Sequence, residues 1–211
     1  MKLEKQKIVL DFDDTLVKSS EQIIAMLNQK YNLNKTIENL TDWGYTSIYP
    51  NISAKEVTEL YSSEKFFEEV KWNEGAKLFL LEFKNDYNFI ICSKGSKQNL
   101  YLKNLFLTKW FNQLEIKNWE FKGIETNDDS DYKLNKSVID FSDCIFSIDD
   151  NVNALLSINT PKKILLKNYS EYYWNETPVN REEVYVINSF YDLIEMCKFD
   201  KKLREEGIYI G

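Results

Sequence analysis

The stretch that decides the fold is residues 8–16, IVLDFDDTL, a short apolar run that ends in carboxylates. An apolar run of this length, rich in aliphatic residues and followed by turn-forming aspartates, predicts a buried strand over 8–12. Asp11 and Asp13 alternate along the extended segment, so both side chains can leave it on the same side. We therefore expect two carboxylates to lie close together near the carboxyl end of the first strand.

A second pair of carboxylates follows another apolar run. Residues 144–148 predict a strand, and Asp149 and Asp150 come directly after it. If the two strands are neighbours, four carboxylates meet at one place, and they cannot all stay ionised without a cationic partner. Aspartate also favours strand ends and turns, so an ordinary structural role stays open for either pair taken alone. For both pairs together, the simplest interpretation is a Mg²⁺ ion held by oxygen ligands.

Short apolar runs alternate with amphipathic stretches along most of the chain. This pattern predicts an α/β fold with a doubly wound, mostly parallel sheet, in which ligands bind at the carboxyl ends of the strands. In the helix predicted over 75–86, the spacing of Leu78, Leu81 and Phe83 indicates a buried face. The remaining predicted strands are 89–92, 119–122, 163–166 and 184–187, and the remaining predicted helices are 97–110 and 189–198.

Residues 17–72 interrupt the alternation, because they contain no convincing strand and at least two helices. Ser19 with Gln22, and Ser53 with Glu56, match the capping-box spacing that opens a helix. An insertion of this length far exceeds the usual loop of about 2–6 residues between a strand and a helix. We therefore predict a core made of residues 1–16 and 73–211, with a small helical cap over 17–72.

Two further segments supply groups suited to an anion. Ser93 ends the strand over 89–92 and precedes Lys94 and Gly95, so a hydroxyl and backbone N–H groups at a strand-to-helix turn would cradle a phosphate. Lys136 precedes the strand that ends at Asp149 and would balance the negative charge of the carboxylates there. Lys133 is the alternative candidate for this role. Ordinary loop chemistry and solvated surface lysines remain the alternative interpretations of these residues.

Composition excludes several kinds of site. The 211 residues include no histidine, which excludes Ser-His-Asp and Cys-His catalysis and histidine-ligated zinc or haem. Lys and Arg number 27 against 34 Asp and Glu, and this net charge of −7 argues against duplex nucleic acid as a partner. Cys92, Cys144 and Cys197 form no paired motif, so we interpret them as structural thiols in a reducing compartment.

Nothing in the sequence predicts a membrane partner. No apolar run reaches the roughly 20 residues of a membrane-spanning helix. The charged residues 1–7 run directly into a strand, unlike a signal peptide. The expectation is a soluble cytoplasmic protein that acts on a small molecule, with a homodimer left open.

In order along the chain, D-F-D-D-T, a hydrophobic residue followed by Ser93, then Lys136, and a hydrophobic run followed by Asp149-Asp150 make up four motifs. This set resembles the motifs of the haloacid-dehalogenase-like (HAD) superfamily of aspartate-nucleophile phosphohydrolases. The resemblance covers residues 8–151, and its first motif is quite specific.

The resemblance implies a role for each motif residue. Asp11 would attack phosphorus, and Asp13 would protonate the leaving group and later activate water. Ser93 and Lys136 would hold the phosphoryl group. The implied magnesium ligands are Asp11, the carbonyl oxygen of Asp13, and Asp149 or Asp150.

Within that superfamily the chain is most similar to the 5′(3′)-deoxyribonucleotidase branch, which also carries a small helical cap after the first strand. Residues 41–43, 66–67 and 73–76 look similar to features of that branch. Residues 93–96, SKGS, depart from it, since the branch tends to carry threonine-serine and proline there. The resemblance implies a magnesium-dependent phosphomonoesterase acting on a nucleoside monophosphate, preferably a deoxynucleotide.

Aromatic residues in the predicted cap allow two interpretations. They could stack on a base, or they could form the small core of the cap. We take Trp43 and Phe67 as the candidate substrate-binding residues, and the other members of this group are Tyr45 and Phe66. A later aromatic cluster at 169–174 is interpreted as cover for the edge of the sheet rather than as a border of the site.

Three other functions stay open. The same core could act on a sugar phosphate or on a phosphorylated nucleic-acid end. A phospho-acceptor signalling domain shares carboxylates, a hydroxyl and a lysine on a parallel sheet, but has no use for an acid/base residue such as Asp13. A catalytically inactive binding module is the last alternative, and the intact set of motif residues argues against it.

Overall fold

A computed structural model describes residues 5–42, 44–126, 135–167 and 184–205 of the chain. These residues form a six-stranded sheet in which every neighbouring pair of strands is parallel, in the order β3-β2-β1-β4-β5-β6. The strands are β1 (Gln6–Leu10), β2 (Tyr87–Gly95), β3 (Trp119–Glu125), β4 (Cys144–Asp149), β5 (Lys162–Leu166) and β6 (Val184–Ile187). The predicted α/β class with a parallel sheet is confirmed.

Helices flank this sheet and carry most of the remaining buried apolar side chains. They are α1 (Ser19–Tyr31), α2 (Ala54–Tyr61), α3 (Glu64–Glu69), α4 (Ala76–Phe83), α5 (Lys97–Gln113), α6 (Val152–Leu156) and α7 (Phe190–Glu205), with short 3-10 helices at Ile37–Asn39 and Lys136–Val138. All three cysteines are free and buried, as expected of structural thiols. None of the helices within the described ranges is both long and apolar enough to cross a membrane.

Helix α4 presents a different face to the core from the one predicted. Leu78 and Leu81 are 47% and 39% exposed, whereas Phe79 and Leu80 are fully buried. The helix reads AKLFLLEF, so apolar residues lie nearly all around it and their spacing does not define one stripe. The contact with α7 decides which side is buried.

The segment 17–72, which we call the insert, begins and ends at the same place on the core. Val17 and Trp72 form an antiparallel bridge, and the backbone N–H of Lys18 donates to the carbonyl of Lys71 at 2.8 Å. Asn73 donates from Nδ2 to the carbonyl oxygens of both Asp14 and Thr15, at 2.9 and 2.7 Å. The two ends of the insert are therefore joined to each other and to the loop that follows β1.

Only one of the two predicted helix caps in the insert forms. Ser53 accepts a hydrogen bond from the backbone N–H of Glu56 at 3.2 Å and caps α2. Helix α1, in contrast, begins at Ser19 itself, with Lys18 in the capping position and no side-chain cap. The hydroxyl of Ser19 donates instead to Oδ1 of Asp13 at 2.7 Å, because the start of α1 lies beside the loop after β1.

Candidate active site

The site forms at the carboxyl ends of the three central strands. Asp11 and Asp13 follow β1, Ser93 lies in β2, and Asp149 ends β4. The backbone N–H of Asp11 donates to the carbonyl of Ile148 at 3.0 Å and continues the pairing of β1 with β4. Because these strands are parallel neighbours, their terminal side chains meet at one edge of the sheet.

Three carboxylates converge closely enough to share a cation. One oxygen from each of Asp11, Asp149 and Asp150 lies within 4.8 Å of the others, and all three residues are buried. Asp150 is held by Thr15, whose Oγ1 accepts from the Asp150 backbone N–H at 3.0 Å and donates to its carboxylate at 3.3 Å. An all-oxygen donor set of this kind fits a hard divalent cation such as Mg²⁺.

Lys136 occupies the centre of this cluster. Its ammonium group donates to Asp11 and, at 2.6 Å, to Oδ2 of Asp149. Burial lowers the pKa of Lys136, but the negative charges of Asp11 and Asp149 outweigh that effect and raise it. Burial raises the pKa of Asp11 to about 7, although the positive charge of this lysine lowers it. The Asp11 carboxyl therefore holds its proton more strongly than an exposed aspartic acid does. Lys133, the rival candidate, lies outside the described residues.

The last residues of β2 reach the same edge, because the strand continues past the predicted end at residue 92 to Gly95. Ser93 is buried, and its hydroxyl donates to Oδ2 of Asp13 at 3.3 Å. Lys94 and Gly95 line the same cavity. A Cβ at Gly95 would lie 2.2 Å from Oδ1 of Asn99, so any other residue there would displace the Asn99 side chain at the start of helix α5.

A second buried lysine, which the sequence analysis missed, completes the site. Lys103 on α5 donates to Asp13, to Oγ of Ser93 at 2.8 Å and to the carbonyl of Lys94 at 3.0 Å. The available signal was its position on the apolar stripe of α5, where Leu100, Leu107 and Phe111 are also buried. A lysine on a buried helical stripe indicates a specific partner, because an unpaired charge there is costly.

Carboxylates outnumber ammonium groups at this edge. The carboxylates of Asp11, Asp13, Asp149 and Asp150 line the cavity, and so do the ammonium groups of Lys94, Lys103 and Lys136. Fully ionised, these groups leave a net negative charge. A divalent cation would offset that charge, which supports the fit of the site to Mg²⁺.

A cavity of about 630 Å³ opens above these groups. The carboxylates and Lys136 line what we call its floor, and its other lining residues include Val57, Thr58 and Tyr61 on α2 and Asn151 and Asn153 at the start of α6. This volume lies within the range of roughly 300–1,000 Å³ that small-molecule sites occupy. Away from the floor, Lys94 and Lys103, the cavity-lining residues among those described are uncharged.

The candidate stacking residues of the insert do not lie together at this cavity. Phe67 packs against Phe66, Phe12 and Phe106, with ring centroids 4.9, 6.3 and 6.1 Å away, and is not among the residues that line the cavity. The structure therefore favours the core interpretation of Phe67, whose partly buried ring packs against the main apolar core. Trp43 and the cluster at 169–174 lie outside the described residues. Tyr61 is the aromatic residue of the described cavity wall.

A buried hydrogen-bond chain links Tyr61 to the loop after β1. The hydroxyls of Tyr61 and Tyr45 are 2.7 Å apart, Tyr45 donates to Oγ of Ser20 at 3.1 Å, and Ser20 donates from both its backbone and its hydroxyl to Asp14. Asp14 has a φ of 50°, in the left-handed region, where its own hydrogen bonds hold it. Burial raises the pKa of Asp14 to about 7.

The buried Asp14 is expected to make metal-free stability fall as pH rises from about 4 to 7. The folded chain keeps this proton up to pH about 7, whereas the unfolded chain loses it near 3.8, so raising the pH favours unfolding. Each unit of pKa shift corresponds to about 1.4 kcal/mol. Asp14→Asn should therefore gain stability over the wild type progressively across this range, in urea unfolding with chelator present.

The matched control is Asp140→Asn, on the surface, where hydrogen bonds from Asn159 and Ser142 lower the pKa of Asp140. It should leave the pH dependence between about 4 and 7 unchanged, because a lowered carboxyl pKa alters stability only below the ordinary value of 3.8. If the free energy of unfolding changed with pH in the same way for the wild type and Asp14→Asn, Asp14 would be ionised in the folded chain across this range.

Comparisons with known proteins connect this site to a known fold. No protein-family profile matches the chain, and no curated protein sequence matches it. A haloacid dehalogenase-like family hydrolase from Streptococcus pneumoniae superposes with a TM-score of 0.56 at 14% identity, covering 91% of this chain and 98% of that one. A HAD-superfamily hydrolase of subfamily IA from Geobacter sulfurreducens gives 0.53 at 12%, covering 91% and 96%.

A third match, the HAD-type protein YfnB from Bacillus subtilis, was solved bound to magnesium and gives a TM-score of 0.55 at 12% identity, covering 92% and 99%. At these identities the likeness shows the fold alone. The chain has the Rossmann-like α/β fold of HAD hydrolases, over nearly the whole length of each of these structures.

Proposed function

We propose that this protein is a magnesium-dependent phosphomonoesterase that uses Asp11 as its nucleophile and hydrolyses nucleoside monophosphates. The observation that carries the proposal is the meeting of Asp11 with Lys136, Asp149 and Asp150 at the carboxyl edge of a HAD-type sheet. The motif order along the sequence and the fold of the matched hydrolases support it.

Magnesium would be held by Asp11, Asp149 or Asp150, and the carbonyl oxygen of Asp13. When bound, the ion supplies positive charge against the phosphoryl oxygens. The residues around it supply the rest of the electrostatic stabilisation. Lys136 and the hydroxyl of Ser93 lie on the cavity wall and would bind the other phosphoryl oxygens.

In the first half of the reaction, an oxygen of Asp11 attacks phosphorus in line with the leaving group. The bond from phosphorus to the ester oxygen breaks, and Asp13 gives its proton to that oxygen, which leaves as the alcohol. An acyl phosphate on Asp11 results. A carboxylate nucleophile beside a carboxylic acid needs no histidine, in agreement with the composition.

In the second half, Asp13 takes a proton from a water molecule as the water oxygen attacks the same phosphorus. The bond between phosphorus and Asp11 breaks, and Asp11 returns as a carboxylate. Inorganic phosphate leaves, and the proton on Asp13 is available for the next substrate. The proposed steps use Asp11 and Asp13, which line the same cavity.

The cavity walls support a nucleoside as the leaving group. The volume accommodates a base and a sugar, the ring of Tyr61 offers a surface for stacking, and Thr58 and Asn153 offer neutral hydrogen-bonding groups. Base–aromatic stacking is worth roughly 1–3 kcal/mol per base in single-strand binders. A neutral wall suits a neutral leaving group better than one that carries a second phosphate.

The test compares substrates that share a phosphate and differ in what it is attached to. In the presence of Mg²⁺, Tyr61→Leu should lower kcat/KM for deoxynucleoside monophosphates by about 10–100-fold, as the stacking energy requires. The same variant should change kcat/KM for an aliphatic phosphate ester such as glycerol 2-phosphate little, because that substrate has no ring to stack.

Phe67→Leu is the matched control, since it removes an aromatic ring of the insert that lies away from the cavity. Its losses should be equal on both substrates. A wild-type preference for sugar phosphates over all nucleotides, or equal losses for Tyr61→Leu on both substrates, would contradict the nucleotide assignment and leave the phosphatase chemistry standing.

A further inference from the structure

The side chain of Lys103 is 1% exposed, yet it carries a charge that the reaction steps above do not use. Placing an ammonium group in such a position is costly unless every hydrogen finds an acceptor. Its Nζ has three acceptors in the structure: Asp13, Oγ of Ser93 and the carbonyl oxygen of Lys94. The three hydrogens of the ammonium group are thereby occupied.

These acceptors belong to two different parts of the proposed chemistry. Asp13 is the proton-transferring carboxylate, and Ser93 holds the phosphoryl group. They come from different strands, and Lys103 reaches both from helix α5. The other oxygen of Asp13 accepts from Ser19 at 2.7 Å, so the carboxylate is held at both ends.

We propose that Lys103 is a positioning residue, which fixes the carboxylate of Asp13 relative to Ser93 so that Asp13 can take the proton of the hydrolytic water. The inference rests on the proposed phosphatase function. In the step concerned, the water oxygen bonds to phosphorus, the bond from phosphorus to Asp11 breaks, and the water proton moves to Asp13. Lys103 itself exchanges no proton and touches no reacting atom.

Its geometry distinguishes Lys103 from Lys136. Lys136 contacts the proposed nucleophile, Asp11, and a proposed metal ligand, Asp149. Its positive charge would therefore balance negative charge on the phosphoryl group. Lys103 has its hydrogens directed at Asp13 and at the carboxyl end of β2 instead. Removing Lys103 should therefore impair proton transfer more than phosphate binding.

The experiment measures pre-steady-state release of nitrophenol from p-nitrophenyl phosphate by wild type, Lys103→Met and Lys103→Gln. Nitrophenol is a good leaving group that needs little protonation, so formation of the acyl phosphate should survive in Lys103→Met. Its hydrolysis should slow by about 100-fold, at the lower end of what a positioned acid/base residue contributes. The expected result is a burst of one nitrophenol per site, with kcat and KM falling together and kcat/KM nearly unchanged.

Lys103→Gln keeps an N–H donor on a side chain one bond shorter and should show an intermediate rate. This variant decides the question if the methionine variant does not fold. Leu107→Ala, at a fully buried site one turn along α5, is the structural control. Loosening the helix there should lower kcat/KM itself and give no burst. Asp13→Asn should reproduce the burst of Lys103→Met.

The outcomes separate this inference from the function on which it rests. A wild-type chain that releases no phosphate from any substrate overturns the proposed function and this inference with it. An active wild type whose Lys103 variants lose kcat/KM as much as kcat overturns the inference alone. So does a clear loss of inhibition by inorganic phosphate in those variants, which would make Lys103 a phosphate ligand.

Discussion

Asp11→Asn is expected to abolish phosphate release while the chain stays folded. The amide is nearly isosteric with the carboxylate but is a poor nucleophile, and the loss of a group that acts covalently costs several orders of magnitude in kcat. We expect a loss of at least about 10³-fold, measured as phosphate released from p-nitrophenyl phosphate with Mg²⁺ present. No phosphorylated enzyme should form.

The thermal melt of Asp11→Asn should stay close to that of the wild type in chelator. Burying Asp11 already raises its pKa to about 7, so replacing it with a neutral amide removes a desolvation cost, while Asp149 still pairs with Lys136. Asp143→Asn, which removes a surface carboxylate paired with Lys7, is the control and should keep full activity. Phosphate release by Asp11→Asn at the wild-type rate would eliminate the covalent mechanism.

Magnesium is expected to raise both the activity and the melting temperature. The ion would bind the converged carboxylates of the folded chain and not the unfolded chain, and a ligand at 100 times its Kd stabilises by about 2.7 kcal/mol. The double variant Asp149→Ala, Asp150→Ala should lose both effects. The measurement is a melt and an activity assay over a range of MgCl₂ concentrations at constant ionic strength.

The comparison is made within each protein, with and without Mg²⁺, because the double variant also removes a partner of Lys136 and is expected to be less stable at the outset. A monovalent salt of equal ionic strength should stabilise both proteins alike. Activity that survives exhaustive chelation, together with an unchanged melting temperature, would contradict the magnesium assignment.

Much of the site could be predicted because its residues follow strands directly. Asp11, Ser93 and Asp149 are each fixed within a residue or two of a short apolar run, and parallel pairing brings such strand ends together whatever the rest of the chain does. Lys136 could be predicted from its place in the motif order. The order of strands within the sheet then placed these residues at one edge.

The groups that escaped prediction are those whose role depends on contacts between elements. Lys103 resembles an ordinary helical lysine in sequence, and only the packing of α5 on β2 and β3 turns it toward Asp13. Ser19 matched a helix cap, but the position of α1 beside the loop after β1 gave its hydroxyl a different acceptor. The buried face of α4 depended on α7, more than a hundred residues later in the chain.

The closed base of the insert has a consequence for how this protein can change over evolutionary time. Val17 and Trp72 pair with each other, so whatever lies between them is a loop whose ends are already joined. The entropy cost of such a loop rises only logarithmically with its length, by about 0.6 kcal/mol for each doubling. Insertions and deletions within the insert that spare its contacts with the core, such as Ser19 with Asp13 and Phe67 with Phe12, would cost the sheet little. Selectivity can therefore change in the insert while the chemistry at the strand ends is kept.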